Sequence, residues 1–386
     1  MSPEPLVKPL SHANRTWVFW ILLTVFFIAV PAFVFYAIGY RVDLASENNI
    51  TTVGGLYIGA DADDVLMFVD EKPVVNMRIF QRAAYIQNLE MGIHRIHVQK
   101  DGLQTWVKEL PVYAHIVTEA QAFNLPLVSQ IRYIPEWLNK TGLPILISEN
   151  ATTTASVFPN AEVTNTVIAT SSQITREYLQ NTEHEYVVSL FESATIDATT
   201  ESRRAIDVFQ PDFSFREPVS QSATASVATT TKITRTVVLY EDDGEVYARW
   251  IGSDRSVPYY YCITFTNPDR TTLEYGEHVY ESIVEQFGNT HNLSGVDTDP
   301  TRVCRDTIRV DRDGQNVTWF DFLPNSTHHV LMLLEDGLYV VEIDDRAWQN
   351  VQLLYQGEDL EVRVDGGQIY VFDGEYYFEV FTEIAS

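Results

Sequence analysis

The sequence predicts an all-β protein carried on one N-terminal transmembrane helix. Three observations predict it. One run near the N-terminus is uncharged, period-two alternation begins soon after it, and a glycine-turn-and-strand phrase recurs through the last third of the chain.

The span comes first. From Thr16 to Tyr40 the chain reads TWVFWILLTVFFIAVPAFVFYAIGY, with no Asp, Glu, Lys, Arg or His. About 20 apolar residues at ~1.5 Å rise cross a bilayer core. Residues 16–40 are therefore expected as a helix in the membrane, with Pro31 a tolerated kink. Trp17 and Trp20 at one end, and Tyr36 and Tyr40 at the other, fit the interfacial aromatic belts. Lys8 and Arg15 precede the run with Glu4, while Arg41, Asp43 and Glu47 follow it. Cytoplasmic flanks favour Lys and Arg, so residues 1–15 are expected inside and the rest of the chain outside. A cleaved signal peptide competes, because Ala37-Ile38-Gly39 has the small-x-small form of a cleavage site. The apolar run is longer than the ~7–15 residues of a signal core, which favours the anchor. Residues 41–50 are polar and are expected as a short stalk.

Charge narrows the partners. The net charge of −27 argues against nucleic acid, which needs a basic face. It also disfavours close contact with anionic lipid headgroups. Two cysteines, Cys262 and Cys304, are present. In an exported body they can form a disulfide, worth up to ~4 kcal/mol in the chain-entropy picture. Two buried thiols or metal ligation are the alternatives. No CxxC spacing supports zinc.

From Thr51 the pattern is that of strands. In VLMFVD, Val65, Met67 and Val69 alternate with Leu66 and Phe68. In GIHRIHVQK, His94, Ile96 and Val98 share one face and Arg95, His97 and Gln99 the other. Lys100-Asp101-Gly102 supplies a hairpin turn, because Gly102 accepts positive φ. LQTWVKELPVY is the next strand, with Pro111 near an edge or end. The segment resembles the PEGA domain, a small β-sandwich of microbial surface proteins. The resemblance rests on Gly55-Leu56-Tyr57-Ile58, Val65 to Asp70, Leu89-Glu90-Met91-Gly92-Ile93-His94, Ile96 to Gly102, and Glu119 to Leu125. Asp61-Ala62-Asp63-Asp64 stands where the family's Pro-Glu-Gly-Ala would be. The resemblance implies a β-sandwich over residues 51–127 and association with envelope proteins. The Gly-Tyr-Arg after the span is similar to that of single-pass bacterial members.

Residues 128–386 are too many for a second small sandwich. They include two stretches rich in Ser, Thr and Ala, 151–172 and 218–236, expected as surface loops or threonine-rich strands. The recurring phrase appears as Asp243-Gly244-Glu245-Val246-Tyr247, Asp313-Gly314, Asp336-Gly337-Leu338-Tyr339, Gly366-Gly367-Gln368-Ile369-Tyr370 and Asp373-Gly374-Glu375-Tyr376. Each copy is a hairpin signal. Thr318 to Ile343 resembles a blade of a TolB-like β-propeller, which implies a propeller-like domain of four-stranded blades. A pair of β-sandwiches is the competing architecture.

No H-E-x-x-H, G-x-S-x-G or P-loop is present. A binding or scaffolding protein without catalysis is the expected class, with an envelope protein or polysaccharide as partner. An anchored polysaccharide-processing enzyme is the first alternative, since two carboxylates alone can serve it. An accessory subunit of a membrane machine is the second, with Thr24, Ala29, Ala32 and Ala37 along the span as contact residues. Asp311, Asp313 and Asn316 place oxygen donors around a glycine turn and are the candidate for weak calcium binding, with no other cofactor expected. Asp61, Asp63 and Asp64 form a second acidic loop. His328 and His329 are adjacent, and strand alternation would send them to opposite faces, so a turn or strand-start role is expected for them and a shared metal is not. Tyr259, Tyr260, Tyr261, Tyr376 and Tyr377 are the densest aromatic clusters and the candidate recognition surface.

Overall fold

The computed structural model describes residues 12–38, 40–42, 50–74, 82–138, 144–147, 167–169, 179–197, 231–234, 236–288 and 301–384. The first element, α1 (His12–Ile38), contains Pro31. It is long and apolar enough to span a membrane, and none of its most apolar window is buried in the protein. Phe33 is 72% exposed and Trp17 71%. A helix apolar all round, with that window left unburied by the described residues, has lipid as its natural surroundings.

Eight strands follow: β1 (Tyr40–Val42), β2 (Ile50–Ala60), β3 (Leu66–Val69), β4 (Lys72–Pro73), β5 (Ala83–Glu90), β6 (Gly92–Gln99), β7 (Trp106–Val112) and β8 (Val117–Ala122). They make two four-stranded sheets. One runs β1-β2-β5 with β8 parallel to β2, and the other runs β4-β3-β6-β7. The faces follow the alternation. Val65, Met67, Val69, Ile96 and Val98 are buried, while Leu66 is exposed. Pro111 lies on the edge strand β7, where its missing N–H costs least. The helix stops at Ile38, short of the expected end of the span at Tyr40; Tyr40, with Arg41 and Val42 of the expected stalk, instead pairs with β2 as a strand, Tyr40 opposite Thr52. Residues 43–49 lie outside the described residues.

The remaining elements are β9 (Gln130–Ile134), β10 (Trp137–Leu138), β11 (Pro144–Ile147), β12 (Val167–Ala169), β13 (Leu179–Gln180), α2 (Thr182–Asp197), β14 (Thr231–Ile233), β15 (Val237–Asp242) and β16 (Glu245–Trp250). They continue with β17 (Cys262–Phe265), α3 (Pro268–Tyr275), α4 (Glu277–Phe287), β18 (Thr301–Cys304) and β19 (Thr307–Val310). The chain closes with β20 (Trp319–Phe322), β21 (His329–Leu334), β22 (Gly337–Glu342), β23 (Val351–Gln356), β24 (Glu361–Asp365), β25 (Gln368–Asp373) and β26 (Tyr376–Phe381). Three sheets are four-stranded and antiparallel: β14-β15-β16-β19, β20-β21-β22-β23 and β24-β25-β26-β9. The last joins the end of the chain to the strand that follows the sandwich. Asp243-Gly244 and Gly366-Gly367 turn their hairpins with positive φ at both central residues, as the tight two-residue turn requires.

The chain is β-rich, but the all-β expectation needs correction. Among the described residues α2, α3 and α4 are helices beyond the span. The start of α3 has a local cause: Asn267 caps it by accepting the Arg270 amide at 2.9 Å, and Pro268 opens it. Both are strong helix-start signals.

One apolar core runs from the first two sheets into the later ones. Leu56, Ile96, Trp106 and Leu110 pack in the same cluster as Leu331, Val340, Leu354 and Val371. A polar clamp crosses that boundary. Lys108 is fully buried on β7 and donates to Glu342 Oε1 at 2.6 Å, to the Asp344 carbonyl at 2.6 Å and to the Trp348 carbonyl at 2.9 Å. Glu342 also accepts from Trp106 Nε1 at 3.0 Å and from Asn350 Nδ2 at 2.8 Å. Burial outweighs Lys108 and pushes the Glu342 carboxyl up from its ordinary value. Burial pushes Asp344 up as well, but Arg346 and then Lys108 bring it down to about 2.

Candidate metal centre

Three side chains converge where the end of β2 meets the start of β21: Asp61, His328 and His329. Their ligand atoms all lie within 4.8 Å of one another. Asp61 is the first residue after β2. Its amide donates to the Ala122 carbonyl at 3.1 Å, and Gln121 Nε2 donates to its Oδ1 at 2.7 Å. The parallel β2–β8 pairing, with Ala60 beside Ala122, therefore fixes the carboxylate from below while leaving it exposed.

The histidines are set by the turn between β20 and β21. Ser326 donates its amide to the Leu323 carbonyl at 3.0 Å, and Asn325 takes a positive φ of 62°. The Leu323 amide donates to the His329 carbonyl at 3.1 Å, and the Ile343 amide to the His328 carbonyl at 2.9 Å. His328 stands before the first residue of β21, so strand alternation does not govern the pair. The rings lie 4.2 Å apart between centroids. The expectation that the two histidines face apart is corrected on that ground.

His329 is 1% exposed, with the Phe123 ring centroid 4.5 Å from its own. Its Nδ1 shares a hydrogen bond of 3.1 Å with Ser326 Oγ. The Nε2 atoms of both His328 and His329 are buried without a hydrogen-bond partner. Burial pushes the His329 imidazole well below its ordinary value, and the neighbouring His328 adds to the shift. His328 is also lowered by burial, with Asp61 and Asp344 opposing. Both rings therefore present a neutral nitrogen, the form that ligates metal. This cluster can coordinate a metal ion, and its two nitrogens do not favour calcium, which takes oxygen ligands.

The oxygen-donor turn reads differently. Asp311, Asp313 and Asn316 are exposed. Asp311 Oδ1 accepts the Asp313 amide at 2.9 Å, closing a local turn, and Asn316 Nδ2 donates to Glu335 Oε1 at 2.7 Å. Arg312 between them pairs with Glu245 at 2.8 Å. Of the second acidic loop, Asp63 is held by Arg82 at 2.7 Å.

Cys262 and Cys304 are bonded to each other. They sit directly opposite across the β17–β18 pair, so the free-thiol and metal-ligand alternatives fall. Tyr260 and Tyr261 are buried in the core beside Val237 and Phe320, and Tyr259 lies under Arg346, whose guanidinium carbon is 5.0 Å from the ring centroid. Burial removes Tyr260 and Tyr261 from the candidate recognition surface. Tyr376 and Tyr377 are half-buried. Tyr377 packs on Phe372 at 4.7 Å and Tyr376 on Tyr133 at 5.8 Å between centroids.

A second aromatic pair went unread in the sequence. Tyr240 and Tyr247 are cross-strand neighbours on β15 and β16, stacked at 5.4 Å, with Arg249 5.4 Å from the Tyr240 ring centroid. They border a polar groove of about 900 Å³ whose walls include Glu281 and Glu285 of α4, Arg309 and Arg312. The Tyr-x-x-x-x-x-x-Tyr spacing around Asp243-Gly244 carried the signal, because a two-residue turn sets those positions opposite each other. No protein-family model matches the chain, and no curated protein matches it.

Proposed function

We propose that this chain is a membrane-anchored binding or scaffolding protein of the cell envelope, with its N-terminus inside, its β-rich body outside and no catalytic step of its own. The observation that carries the binding reading is the groove edged by Tyr240, Tyr247 and Arg249. Aromatic faces beside a mix of carboxylates and guanidinium groups suit a polysaccharide or an envelope protein, since rings offer apolar area and the charged groups offer directional hydrogen bonds. The Cys262–Cys304 bond supports an exported body, because such bonds persist in oxidising compartments. The net charge of −27 keeps nucleic acid out of the reading.

Residues 51–127 are read as PEGA-like and the later sheets as a propeller-like body. Three four-stranded antiparallel sheets, one completed by β9, support the second reading. The test uses the full chain in lipid nanodiscs, presented with envelope polysaccharide and with solubilised envelope proteins. Binding is expected to weaken about fivefold in Tyr247→Ala, the loss of one stacking contact worth about 1 kcal/mol. Equal binding by Tyr247→Ala and wild type would remove the groove from the reading. Protease treatment of intact cells tests sidedness, and a protected body would reverse the orientation.

A further inference from the structure

We propose that Asp61, His328 and His329 form a site for a first-row divalent transition metal of the zinc class, one that clasps the sandwich to the C-terminal sheets. The ligands come from both sides of the boundary. Asp61 directly follows β2, and His329 opens β21 with His328 just before it. Their ligand atoms, within 4.8 Å of one another, need to close to about 3.4 Å for a tetrahedral ion with bonds of ~2.0–2.2 Å. The exposed Asp61 side chain, held through Oδ1 by Gln121, makes most of that movement by turning about its own bonds, while backbone hydrogen bonds hold both histidines in place.

The histidines are prepared for a ligand rather than for one another. In the tautomer whose Nδ1–H donates to Ser326 Oγ, His329 Nε2 carries the lone pair, and that atom is buried with no partner. A second-layer hydrogen bond that fixes the tautomer and aims the other nitrogen is the usual support of a metal-bound histidine. Gln121 does the same for the carboxylate, donating to Oδ1. Leaving a buried polar atom unsatisfied is costly in a folded protein, and an ion removes that cost at both rings together. Two imidazoles and one carboxylate suit zinc and its neighbours and not calcium or magnesium. Three protein ligands with one at the surface leave a fourth position open to solvent.

The experiment titrates Zn2+ into the chelator-treated full chain in detergent micelles, read by calorimetry, with Co2+ absorbance as a coordination signature. One ion per chain is expected, with a tetrahedral cobalt spectrum and no displacement by excess Ca2+. Asp61→Asn keeps the exposed position polar and uncharged and is expected to weaken binding at least tenfold. His328→Ala is expected to do the same, and Zn2+ to raise the melting temperature of wild type but not of Asp61→Asn. Absence of saturable binding overturns the proposal. So does unchanged affinity in Asp61→Asn. Displacement by calcium also overturns it, because that marks an ion held by surface carboxylates only.

Discussion

Lys108 should be the most consequential single charge in the body. Its ammonium is fully buried and makes three hydrogen bonds, to Glu342, to the Asp344 carbonyl and to the Trp348 carbonyl. Lys108→Met keeps the length of the side chain and removes the charge. Glu342, 3% exposed, then faces only Trp106 and Asn350. Breaking a buried pair by removing one partner costs about 3–5 kcal/mol. At ~2–4 °C per kcal/mol for a body of this size, the melting temperature should fall by about 10 °C. The double variant Lys108→Met/Glu342→Leu should recover part of the loss, since an apolar replacement of the whole pair is often neutral. Recovery stays incomplete, because two buried carbonyls lose a donor at about 1–3 kcal/mol each. Trp106 and Trp348 flank the clamp, so tryptophan fluorescence during denaturant unfolding of the full chain reads it directly. Destabilisation below about 0.5 kcal/mol in Lys108→Met, or additive single variants, would refute the argument.

Other outcomes follow from the same structure. Cys262→Ser/Cys304→Ser opens a loop with a sequence separation of 42 and should cost about 4 kcal/mol in the chain-entropy picture; reductant should reproduce the shift in denaturant midpoint in wild type and leave the variant unmoved. Gly54→Ala would place a Cβ 2.2 Å from the Tyr113 carbonyl oxygen; the backbone must shift, and about 1–3 kcal/mol should be lost, read as a lower melting temperature. Glu183 grips Arg132 at 2.5 Å, and that hydrogen bond holds its carboxyl below the ordinary value. A depressed carboxyl contributes stability above the usual glutamate range, and the contribution disappears as pH falls through the folded value. The midpoint difference between wild type and Glu183→Gln should therefore be small, shrink further with salt because the pair is partly exposed, and vanish in acid; a difference that grows in acid contradicts the assignment.

The sequence exposed those parts that obey local rules. α1 was legible because an uncharged run has few other homes. The buried faces of β3 and β6 were legible because alternation alone decides which side chain points inward. The hairpin turns were legible because Asp-Gly and Gly-Gly accept positive φ. The clamp was less so, although Lys108 shares the inward face of β7 with Trp106 and Leu110. Its partner Glu342 lies 234 residues away, and no local pattern links them. The histidine pair was misjudged because the alternation rule was applied one residue before the strand begins. α3 carried a readable start at Asn267-Pro268, overlooked beside the stronger strand signals. Tyr260 and Tyr261 illustrate the opposite error, since a dense aromatic run is as much a description of a core as of a surface.

The join between α1 and β1 has a mechanical consequence. One residue, Gly39, separates the helix from a strand that is hydrogen-bonded into the first sheet. Phe35 of the helix and His115 of the sandwich both touch Tyr40, at 5.5 and 5.4 Å between ring centroids. A coupling this short leaves the body little freedom to swing on its anchor. Tyr40 therefore ties the end of the helix to the first sheet through its ring contacts as well as through the chain.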